Sequence, residues 1–521
     1  MLLDTNSKLN ITFCGAARTV TGSMYYLEYA HASGKTYRFN IDAGMFQVGQ
    51  DVSLYKMNSK LLFEPTLLDA MILTHCHLDH CGRIPLLVNR GFGGRIHSTP
   101  ATKELTQIVL FDSARQQEPD LRSQDFHLNA LGIDRADLDP GLNTDWFIPK
   151  NPEMMKKLYD QSDVEISMSR FKTHDYHQSF ELFPDLWIQF RDAGHILGSA
   201  NVVISEKKAG KVIKQIIFSG DLGNPNKPII RDPEIHTDLD KLTHVVVEST
   251  YGDRLHPKLE PKLRLKEIIK KTHRKGGKLL IPSFSVERAQ EVIYYLSELM
   301  RDNEIPSMPI FLDSPMASKV LEVCLDHPEL YDQDLREKVR QKANPLTYKQ
   351  LKILESTMDS KSINYRRDSF ILIAGSGMLN GGRILKHLQH HGSYSQNTLL
   401  FVGYQAVGTL GRKILDLWKK SQTISVTVDG LEMEIKAEIA VINEFSAHAD
   451  QAMTKKWIAK LHLNRSQDIV NSKYKDLTVF ITHGEHAASE TLAKELENQH
   501  PNDFKTYWPK FGERVEVWGK S

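Results

Sequence analysis

Four side chains of metal-binding type are crowded into the stretch MILTHCHLDHCG, residues 71–82. His75, His77, Asp79 and His80 lie within six positions, directly after an apolar run that predicts a strand. In an extended strand the first three would share one face, and a bend or a helix start must turn His80 toward them. One tetrahedral zinc takes three or four protein ligands. The cluster therefore divides into two half-sites, His75 with His77 and Asp79 with His80, and predicts two metal ions.

Three polar residues elsewhere in the chain suit the ligands that these half-sites still need. His195 lies in DAGHILGSAN, Asp221 in IIFSGDLGN and His483 in FITHGEH, each at a turn after an apolar strand. Ligands in α/β proteins bind at the carboxyl ends of strands. We therefore expect these residues to converge with the histidine cluster on one face. An aspartate between two ions can bridge them with its two oxygens.

A pair of neighbouring metal ions favours hydrolysis at phosphorus, because the ions clamp both sides of an in-line displacement. They lower the pKa of a bridging water, so that hydroxide exists at neutral pH, and they neutralise charge on the phosphoryl oxygens. The leaving oxygen of a phosphate ester still needs a proton. His448 in SAHAD is the candidate general acid, because imidazole titrates near neutral pH. Glu248 in VVESTYGDRLH is the candidate for orienting that imidazole.

Two glycine-rich turns are candidates for binding the substrate. The first, AGSGMLNGGRILKHL, enters a predicted helix and offers the backbone N–H groups of Ser376 and Gly377 to a phosphate. Arg383 lies where it can reach the same phosphate. The second turn, GYQAVGTLGRK, adds Arg412.

Short β-rich segments fill residues 9–45 and return after residue 186, whereas strands alternate with helices after residue 250. This alternation predicts a parallel α/β sheet. We expect Ser285 to be the N-cap of the helix SVERAQEVIYYLSELM. Residues 118–152 are weakly patterned, and we interpret them as an insertion or lid without assigning a role. We interpret three histidines of a later helix as surface residues: His387, His390 and His391.

Composition limits the classes of protein that this chain can represent. Its 521 residues suffice for two or three domains, and 66 basic against 65 acidic residues give no global field that would attract nucleic acid. The amino-terminal MLLDTNSKLNITFCG lacks a basic and then apolar pattern, so we expect no secretory signal. No window approaches the roughly 18 apolar residues of a membrane span. The four cysteines are too sparse for a disulfide framework and predict a cytoplasmic protein.

Several of these motifs together resemble a known family. THCHLDHCG is similar to the signature of the metallo-β-lactamase fold, FNIDAG to its first motif, DAGHILGSA to its third and FSGDLG to its fourth. Glu248, His448 and His483 lie in segments that resemble the characteristic motifs of the β-CASP nucleases within that superfamily. The chain thus resembles the β-CASP RNA-processing nucleases, which include bacterial and archaeal exo/endoribonucleases and the nuclease subunit of the cleavage and polyadenylation machinery.

The resemblance implies a metallo-β-lactamase αββα sandwich with an inserted β-CASP α/β domain. Residues 1–248 would form the first part of the sandwich, 249–433 the β-CASP domain and 434–521 the returning part. It also implies that Asp42 orients the histidine loop from behind the ligands. The cofactors would be two Zn²⁺ ions, with Mn²⁺ as an alternative.

The family also implies a role for each residue of the site. The expected ligands of one zinc are His75, His77 and His195, those of the other are Asp79, His80 and His483, and Asp221 bridges the two. Four residues are expected to take part in catalysis: Asp79, Asp221, Glu248 and His448. The family's Ala-Ser-Gly-Met element departs from its pattern here, because residues 374–378 are Ala-Gly-Ser-Gly-Met.

The sequence thus predicts a zinc-dependent ribonuclease that acts on single-stranded RNA, with exonuclease or endonuclease action left open and a homodimer as one oligomeric state to consider. A small-substrate hydrolase on the same core is one alternative, but it needs neither the inserted domain nor the pair of Glu248 and His448. A DNA-directed β-CASP nuclease is another, although the DNA-repair members tend to lack the histidine that corresponds to His483. A non-catalytic scaffold would have lost metal ligands, and here every ligand position is filled.

Overall fold

The computed structural model of the protein describes residues 7–46, 52–117, 157–257, 260–406, 408–442, 444–499 and 503–519. The weakly patterned stretch at 118–152, which we interpreted as an insertion or lid, lies outside these residues. None of the described helices combines the length and the apolar character that crossing a membrane requires.

The described strands form two seven-stranded sheets, one six-stranded sheet and a two-stranded hairpin. In chain order they are β1 Lys8–Phe13, β2 Tyr25–Ala30, β3 Thr36–Ile41, β4 Ala70–Ile72, β5 Arg95–Ser98, β6 Phe171–Thr173, β7 Ser179–Phe183, β8 Leu186–Asp192, β9 Ala200–Lys208, β10 Lys211–Phe218, β11 Leu242–Glu248, β12 Leu279–Pro282, β13 Ile310–Asp313, β14 Leu351–Ile353, β15 Ile371–Ala374, β16 Thr398–Phe401, β17 Ser425–Val428, β18 Leu431–Glu434, β19 Glu438–Val441, β20 Leu477–Thr482, β21 Phe504–Tyr507 and β22 Arg514–Trp518.

The helices lie on the outer faces of the sheets. In the part of the chain that forms the six-stranded sheet, helices connect successive strands. In chain order they are α1 Val52–Ser59, α2 Leu78–Cys81, α3 Ile84–Asn89, α4 Pro100–Gln117, α5 Gln161–Ser169, α6 Pro261–Arg274, α7 Arg288–Arg301, α8 Pro315–Asp326, α9 Gln333–Arg340, α10 Thr357–Ser362, α11 Arg383–His391, α12 Leu410–Lys419, α13 Gln451–Leu463, α14 Gln467–Val470 and α15 His486–Gln499.

The two seven-stranded sheets pack face to face as a sandwich. Their strand orders are β22-β1-β2-β3-β4-β5-β6 and β21-β20-β11-β10-β9-β8-β7. Buried and half-buried residues alternate along β1, so that Leu9, Ile11 and Phe13 point into the core between the sheets. Phe480 from the opposite sheet meets Phe13 with ring centroids 5.4 Å apart. The hydrophobic core between the sheets thus fixes their relative position.

Each sheet of the sandwich contains a parallel part, and this arrangement positions the site. Strands β3 and β4 are parallel in the first sheet, and β10, β11 and β20 are parallel in the second. Parallel neighbours end at the same edge of a sheet, so the loops that follow these strands meet there. Those loops begin with or contain the polar residues singled out from the sequence.

The six-stranded sheet has the order β14-β13-β15-β12-β16-β19 and is parallel throughout. The parallel sheet predicted after residue 250 is therefore present. Strand β19 lies beyond residue 433, where we predicted the inserted domain to end, yet it pairs with β16 along its whole length. We propose that the inserted domain extends to Val441, because β19 completes the edge of this sheet.

The predicted start of one helix in this region was wrong. Helix α7 begins at Arg288, with Glu287 as its N-cap residue at φ +67°. The hydroxyl of Ser285 does not cap this helix, because it lies 3.2 Å from the hydroxyl of Ser314. Ser314 in turn caps α8 by accepting a hydrogen bond from the backbone N–H of Ala317.

Candidate metal centre and active site

The structure brings together all seven side chains that the sequence analysis assigned to metal binding. Three of them follow the ends of strands in the second sheet: His195 after β8, Asp221 after β10 and His483 after β20. His75 and His77 lie in the loop after β4, and Asp79 and His80 lie in the short helix α2 that follows it. The bend expected before His80 is thus the start of this helix.

The first group consists of His75, His77, His195 and Asp221. Nε2 of His75 and Nε2 of His195 lie 3.0 and 3.2 Å from Nδ1 of His77. Asp221 Oδ2 lies 3.4 Å from Nε2 of His75 and 3.5 Å from Nε2 of His195. Three ring nitrogens and one carboxylate oxygen therefore face a common point.

The second group consists of Asp79, His80 and His483, together with the other oxygen of Asp221. Nε2 of His80 lies 3.1 Å from Nε2 of His483, and Asp79 Oδ2 lies 3.6 Å from the latter. Asp221 Oδ1 is 3.2 Å from Nε2 of His80 and 3.6 Å from Nε2 of His483. Asp221 thus turns one oxygen to each group, as a bridging carboxylate must.

The protonation states of the first group suit cation binding. Burial, with smaller contributions from neighbouring histidines, lowers the pKa of His75 to about 3 and the pKa of His195 well below its usual range. Burial also lowers the pKa of His77 to about 4. These imidazoles are neutral at pH 7 and keep a lone pair, which a metal ligand needs. Asp221 Oδ1 is buried and makes no hydrogen bond among the described residues, so the site fits a divalent cation that would satisfy it.

Asp42 contacts the metal-binding residues on the side that faces away from the two ligand groups, as the family resemblance implied. One of its oxygens lies 2.7 Å from Nδ1 of His80, and the other accepts a hydrogen bond of 2.9 Å from the backbone N–H of Thr74. Fixing Nδ1 of His80 leaves its Nε2 facing the site. The hydroxyl of Thr74 lies 3.1 Å from Nδ1 of His75, and that of Thr250 lies 3.2 Å from Nδ1 of His483.

These two threonines are functional residues that the sequence analysis missed. Thr74 lies in the loop between β4 and His75, and its place directly before the histidine cluster was its only signal. Thr250 is distant in sequence from His483, and the contact arises because β11 and β20 are parallel neighbours. Each hydroxyl orients an imidazole through the ring nitrogen that faces away from the metal site.

His448 and Glu248 form a pair beside both groups. Nδ1 of His448 lies 2.9 Å from Oε1 of Glu248. The His448 ring centroid is 4.6 Å from that of His195 and 6.2 Å from that of His483. Burial lowers the pKa of His448, but the negative charge of Glu248 and of nearby aspartates outweighs burial and raises this pKa to about 9. The side chain of His448 remains 20% exposed, so one edge of the ring is accessible.

The Glu248 carboxylate is held by the backbone as well as by His448. It accepts hydrogen bonds from the N–H groups of Leu222, at 2.7 Å, and Thr250, at 3.2 Å. Ligand atoms of Asp221, Glu248 and His448 also lie within 4.8 Å of one another, so they form a third group that geometry allows for a metal. The backbone hydrogen bonds to Glu248 favour a supporting role for it instead.

Unlike the metal-binding residues, the residues predicted to bind substrate do not come together around the metal groups. Arg383 Nη1 donates to the buried carboxylate of Asp313 at 2.6 Å and to the carbonyl of Leu354 at 3.1 Å. Arg412 pairs with Asp416 one helical turn away, at 2.9 Å. Both guanidinium groups therefore have partners within the inserted domain.

The loop before α11 also uses its polar groups internally. The N–H of Ser376 donates to the carbonyl of Gly381, and the Ser376 hydroxyl accepts from the N–H of Asn380. The N–H of Ser376 is therefore engaged within the loop, whereas its hydroxyl still has a proton to donate. Gly377 packs against the ring of Phe284, as described below.

The prediction that three histidines of α11 lie on the surface was wrong for two of them. His387 and His391 are buried, the first beside Asp313, whose Oδ2 lies 2.6 Å from its Nε2. Nδ1 of His387 lies 2.8 Å from Oδ1 of Asn364. These contacts make His387 part of the inserted domain's interior.

Three protein-family models match the chain. The model of the metallo-beta-lactamase superfamily matches residues 24–150. The Beta-Casp domain matches residues 289–414, and the Zn-dependent metallo-hydrolase RNA specificity domain matches residues 432–509. The predicted fold, a metallo-β-lactamase domain with an inserted β-CASP domain, is confirmed.

Several curated proteins are similar to this chain along most of its length. Ribonuclease TTHA0252 of Thermus thermophilus is 34% identical over 445 residues, which cover 85% of this chain and 89% of that protein. Transcription termination factor FttA of Methanosarcina mazei is 28% identical over 498 residues, 94% of this chain and 69% of the relative. FttA of Pyrococcus horikoshii is 30% identical over 400 residues, but this chain spans only 55% of its length.

The family models and the ribonuclease relative agree with the arrangement of the site. They support a hydrolase of the Zn-dependent class whose substrate is RNA, and the predicted family is confirmed. The chain belongs to the β-CASP nucleases of the metallo-β-lactamase superfamily, and it is a metal-dependent ribonuclease.

Proposed function

We propose that this ribonuclease cleaves single-stranded RNA by direct attack of water on the phosphodiester, with two Zn²⁺ ions and a histidine general acid. One observation carries the proposal: Asp221 turns one oxygen to each of two ligand groups, and the pair of His448 and Glu248 stands beside both. A hydrolase of small substrates would need no such pair.

Seven residues would hold the two ions, four in the first group and three in the second, with Asp221 shared between them. When bound, the ions supply acidification of water and neutralisation of charge on a phosphodiester. Mn²⁺ is an alternative occupant, because the ligand set of imidazoles and carboxylates accepts both metals. Asp42, Thr74 and Thr250 would keep the imidazoles in the tautomers that ligation needs.

His448 would act on the leaving group. A new bond forms between phosphorus and the water oxygen, the bond from phosphorus to the ribose oxygen breaks, and that oxygen takes a proton. Because Nδ1 of His448 is held by Glu248, its Nε2 is the atom that would donate the proton. Glu248 favours the protonated imidazole through its charge and fixes the direction of the ring.

Burial of the centre supports single strands as the substrate. His75, His195 and Asp221 are at most 2% exposed, whereas His448 is 20% exposed on its side chain. The scissile phosphate would therefore enter through the partly exposed side of the centre, an opening bordered by His448 and Asp79. An extended single strand fits such an opening better than a duplex, whose two backbones are held apart. We also propose a cytoplasmic location, because all four cysteines are free thiols.

The test is cleavage of 5′-labelled and 3′-labelled single-stranded RNA and DNA by the purified protein. We expect RNA to be cleaved in the presence of zinc or manganese, and cleavage to stop when a chelator is added. The two labels separate exonuclease from endonuclease products. Cleavage that persists in chelator would contradict the metal mechanism, and equal turnover of DNA would favour a nuclease of broader substrate range.

A further inference from the structure

One aromatic ring at the carboxyl edge of the parallel sheet is held in a seat made by two glycines. Phe284 follows β12, the strand that lies between β15 and β16 in the sheet. A Cβ added at Gly377, after β15, would lie 2.9 Å from Cδ2 of Phe284, and one added at Gly403, after β16, would lie 2.9 Å from its Cε2. Both distances are shorter than ordinary Cβ contacts, so a side chain at either position would displace the ring from its place, and one at Gly377 would also meet the backbone N of Phe284 at 2.9 Å.

The side chain of Gln405 ties the two halves of this seat together. Its Nε2 donates to the carbonyl of Gly377 at 2.9 Å and to the carbonyl of Gly403 at 3.0 Å. Gln405 is itself buried. The ring of Phe284 is thus fixed along its Cδ2–Cε2 edge, while the residue as a whole remains 38% exposed.

Tyr404 adds a second aromatic ring at the same edge. It directly follows Gly403 of the seat and is 63% exposed. Its phenol, when ionised, would raise the pKa of Arg254, so the two side chains lie in the same region. Arg254 stacks over the ring of Tyr251 at 5.7 Å, and that ring lies 6.2 Å from His448. Tyr404 is therefore near the loop of Tyr251 and Arg254, which borders the general-acid candidate.

We infer that Phe284 and Tyr404 form a stacking site for the bases of the RNA substrate, a few nucleotides from the bond that is cleaved. Bases of single strands stack on exposed aromatic side chains, and every base offers a suitable face. A rigidly seated ring costs little conformational entropy when it binds, which suits it to this use. The inference rests on the proposed action on single-stranded RNA and names the part of the inserted domain that would hold it.

The stacking site also accounts for one glycine of the loop at residues 374–382, Gly377. The sequence analysis assigned Gly377 to a phosphate, whereas the structure uses its lack of a side chain to admit the ring of Phe284. Recognition at this loop would then involve the flat face of a base instead of the charge of the backbone. Such a contact tolerates every base and would therefore not select a sequence.

The test compares Tyr404→Ala and Phe284→Leu with the parent enzyme on a short single-stranded RNA. Tyr404→Ala should raise KM by about 5-fold to 150-fold, the range that follows from loss of one base–aromatic stack. Phe284→Leu should raise KM in the same direction. The value of kcat, metal content and hydrolysis of bis-p-nitrophenyl phosphate should be unchanged, because neither ring touches the metal groups. Tyr365→Ala is the matched control, since Tyr365 is 81% exposed in the same domain but lies outside the seat.

A scan of abasic positions in the RNA makes the test specific. At one position, loss of the base should raise KM for the parent enzyme and add nothing further in Tyr404→Ala, because the same contact is already lost. If the effects of the missing base and of Tyr404→Ala on KM are independent at every position of the RNA, the stacking site is refuted. An unchanged KM in both variants, or an equal rise in Tyr365→Ala, would also refute it. Failure of the parent enzyme to cleave RNA would instead refute the proposed function itself.

Discussion

Replacement of His448 by alanine separates proton donation from metal binding. The imidazole touches Glu248 at 2.9 Å and belongs to neither of the two groups that Asp221 bridges. Loss of a general acid reduces the rate by roughly 10²–10⁴-fold, which corresponds to about 3–5 kcal/mol of transition-state stabilisation. We therefore expect His448→Ala to lose activity on RNA by this factor, with metal content unchanged.

The comparison substrate is bis-p-nitrophenyl phosphate, whose leaving group departs without a proton. In parallel steady-state assays, His448→Ala should lose much less activity on this substrate than on RNA. Glu248→Gln should show a milder version of the same pattern, because its amide oxygen can still orient the ring but carries no charge. The fold should survive in both variants, since the amide oxygen of the introduced glutamine can still accept from the backbone N–H of Leu222, although its amide nitrogen cannot replace the oxygen that accepts from Thr250.

Two outcomes would refute this reasoning. If His448→Ala loses a metal ion by elemental analysis, the residue is a ligand of the third possible group, and the proton donor lies elsewhere. If the variant loses the activated substrate as severely as RNA, proton transfer to the leaving group is not its role.

Three further predictions concern the metal centre and the loop behind it. Elemental analysis of the protein as purified should find about two metal ions per chain, most of them zinc, because two ligand groups share Asp221. A fully loaded protein with one ion per chain would exclude the dinuclear mechanism. Asp221→Asn should abolish turnover while circular dichroism stays native, and wild-type activity in this variant would show that Asp221 is not the bridge. Burial raises the pKa of Glu234, but the nearby His236 and the ion pair with Arg191 outweigh this and lower it from 4.5 to about 2, so this carboxylate stabilises the fold above about pH 4.5 and loses its contribution as pH falls toward 2. Glu234→Gln should therefore lower the Tm at pH 7 by an amount that shrinks on acidification, and a difference independent of pH would contradict this assignment.

The metal centre could be predicted from the sequence because its residues lie in short motifs that are recognisable without knowledge of the fold. His75, His77, Asp79 and His80 are adjacent in the chain, and three distant ligands stand in glycine-flanked turns after apolar strands. Chemistry then limits what such a set can do. The convergence itself follows from parallel strands ending at one edge, which the alternation of strands and turns already indicated.

Residues whose roles depend on a distant partner could not be predicted in this way. His387 was placed on the surface because helical periodicity does not reveal Asp313, which lies 74 positions earlier in the chain. Arg383 was assigned to phosphate for the same reason, since its partner is that same carboxylate. Ser285 has the right residue type for a cap, but the hydroxyl of Ser314 lies beside it. In each case the competing contact comes from an element that only the tertiary fold brings near.

The inserted domain is linked to the loop that carries His448, through which it would influence the proposed proton transfer. Lys227, six residues after Asp221, donates to the carbonyl of Glu444 at 2.9 Å and to Glu291 of α7 at 3.0 Å. Breaking a buried ion pair of this kind typically costs about 3–5 kcal/mol, so the link is firm. Asn224 adds a backbone bond of 2.7 Å to the carbonyl of Ala447. The loop after Asp221, the loop that carries His448 and helix α7 are therefore joined by hydrogen bonds, which hold His448 in place beside the metal-binding groups.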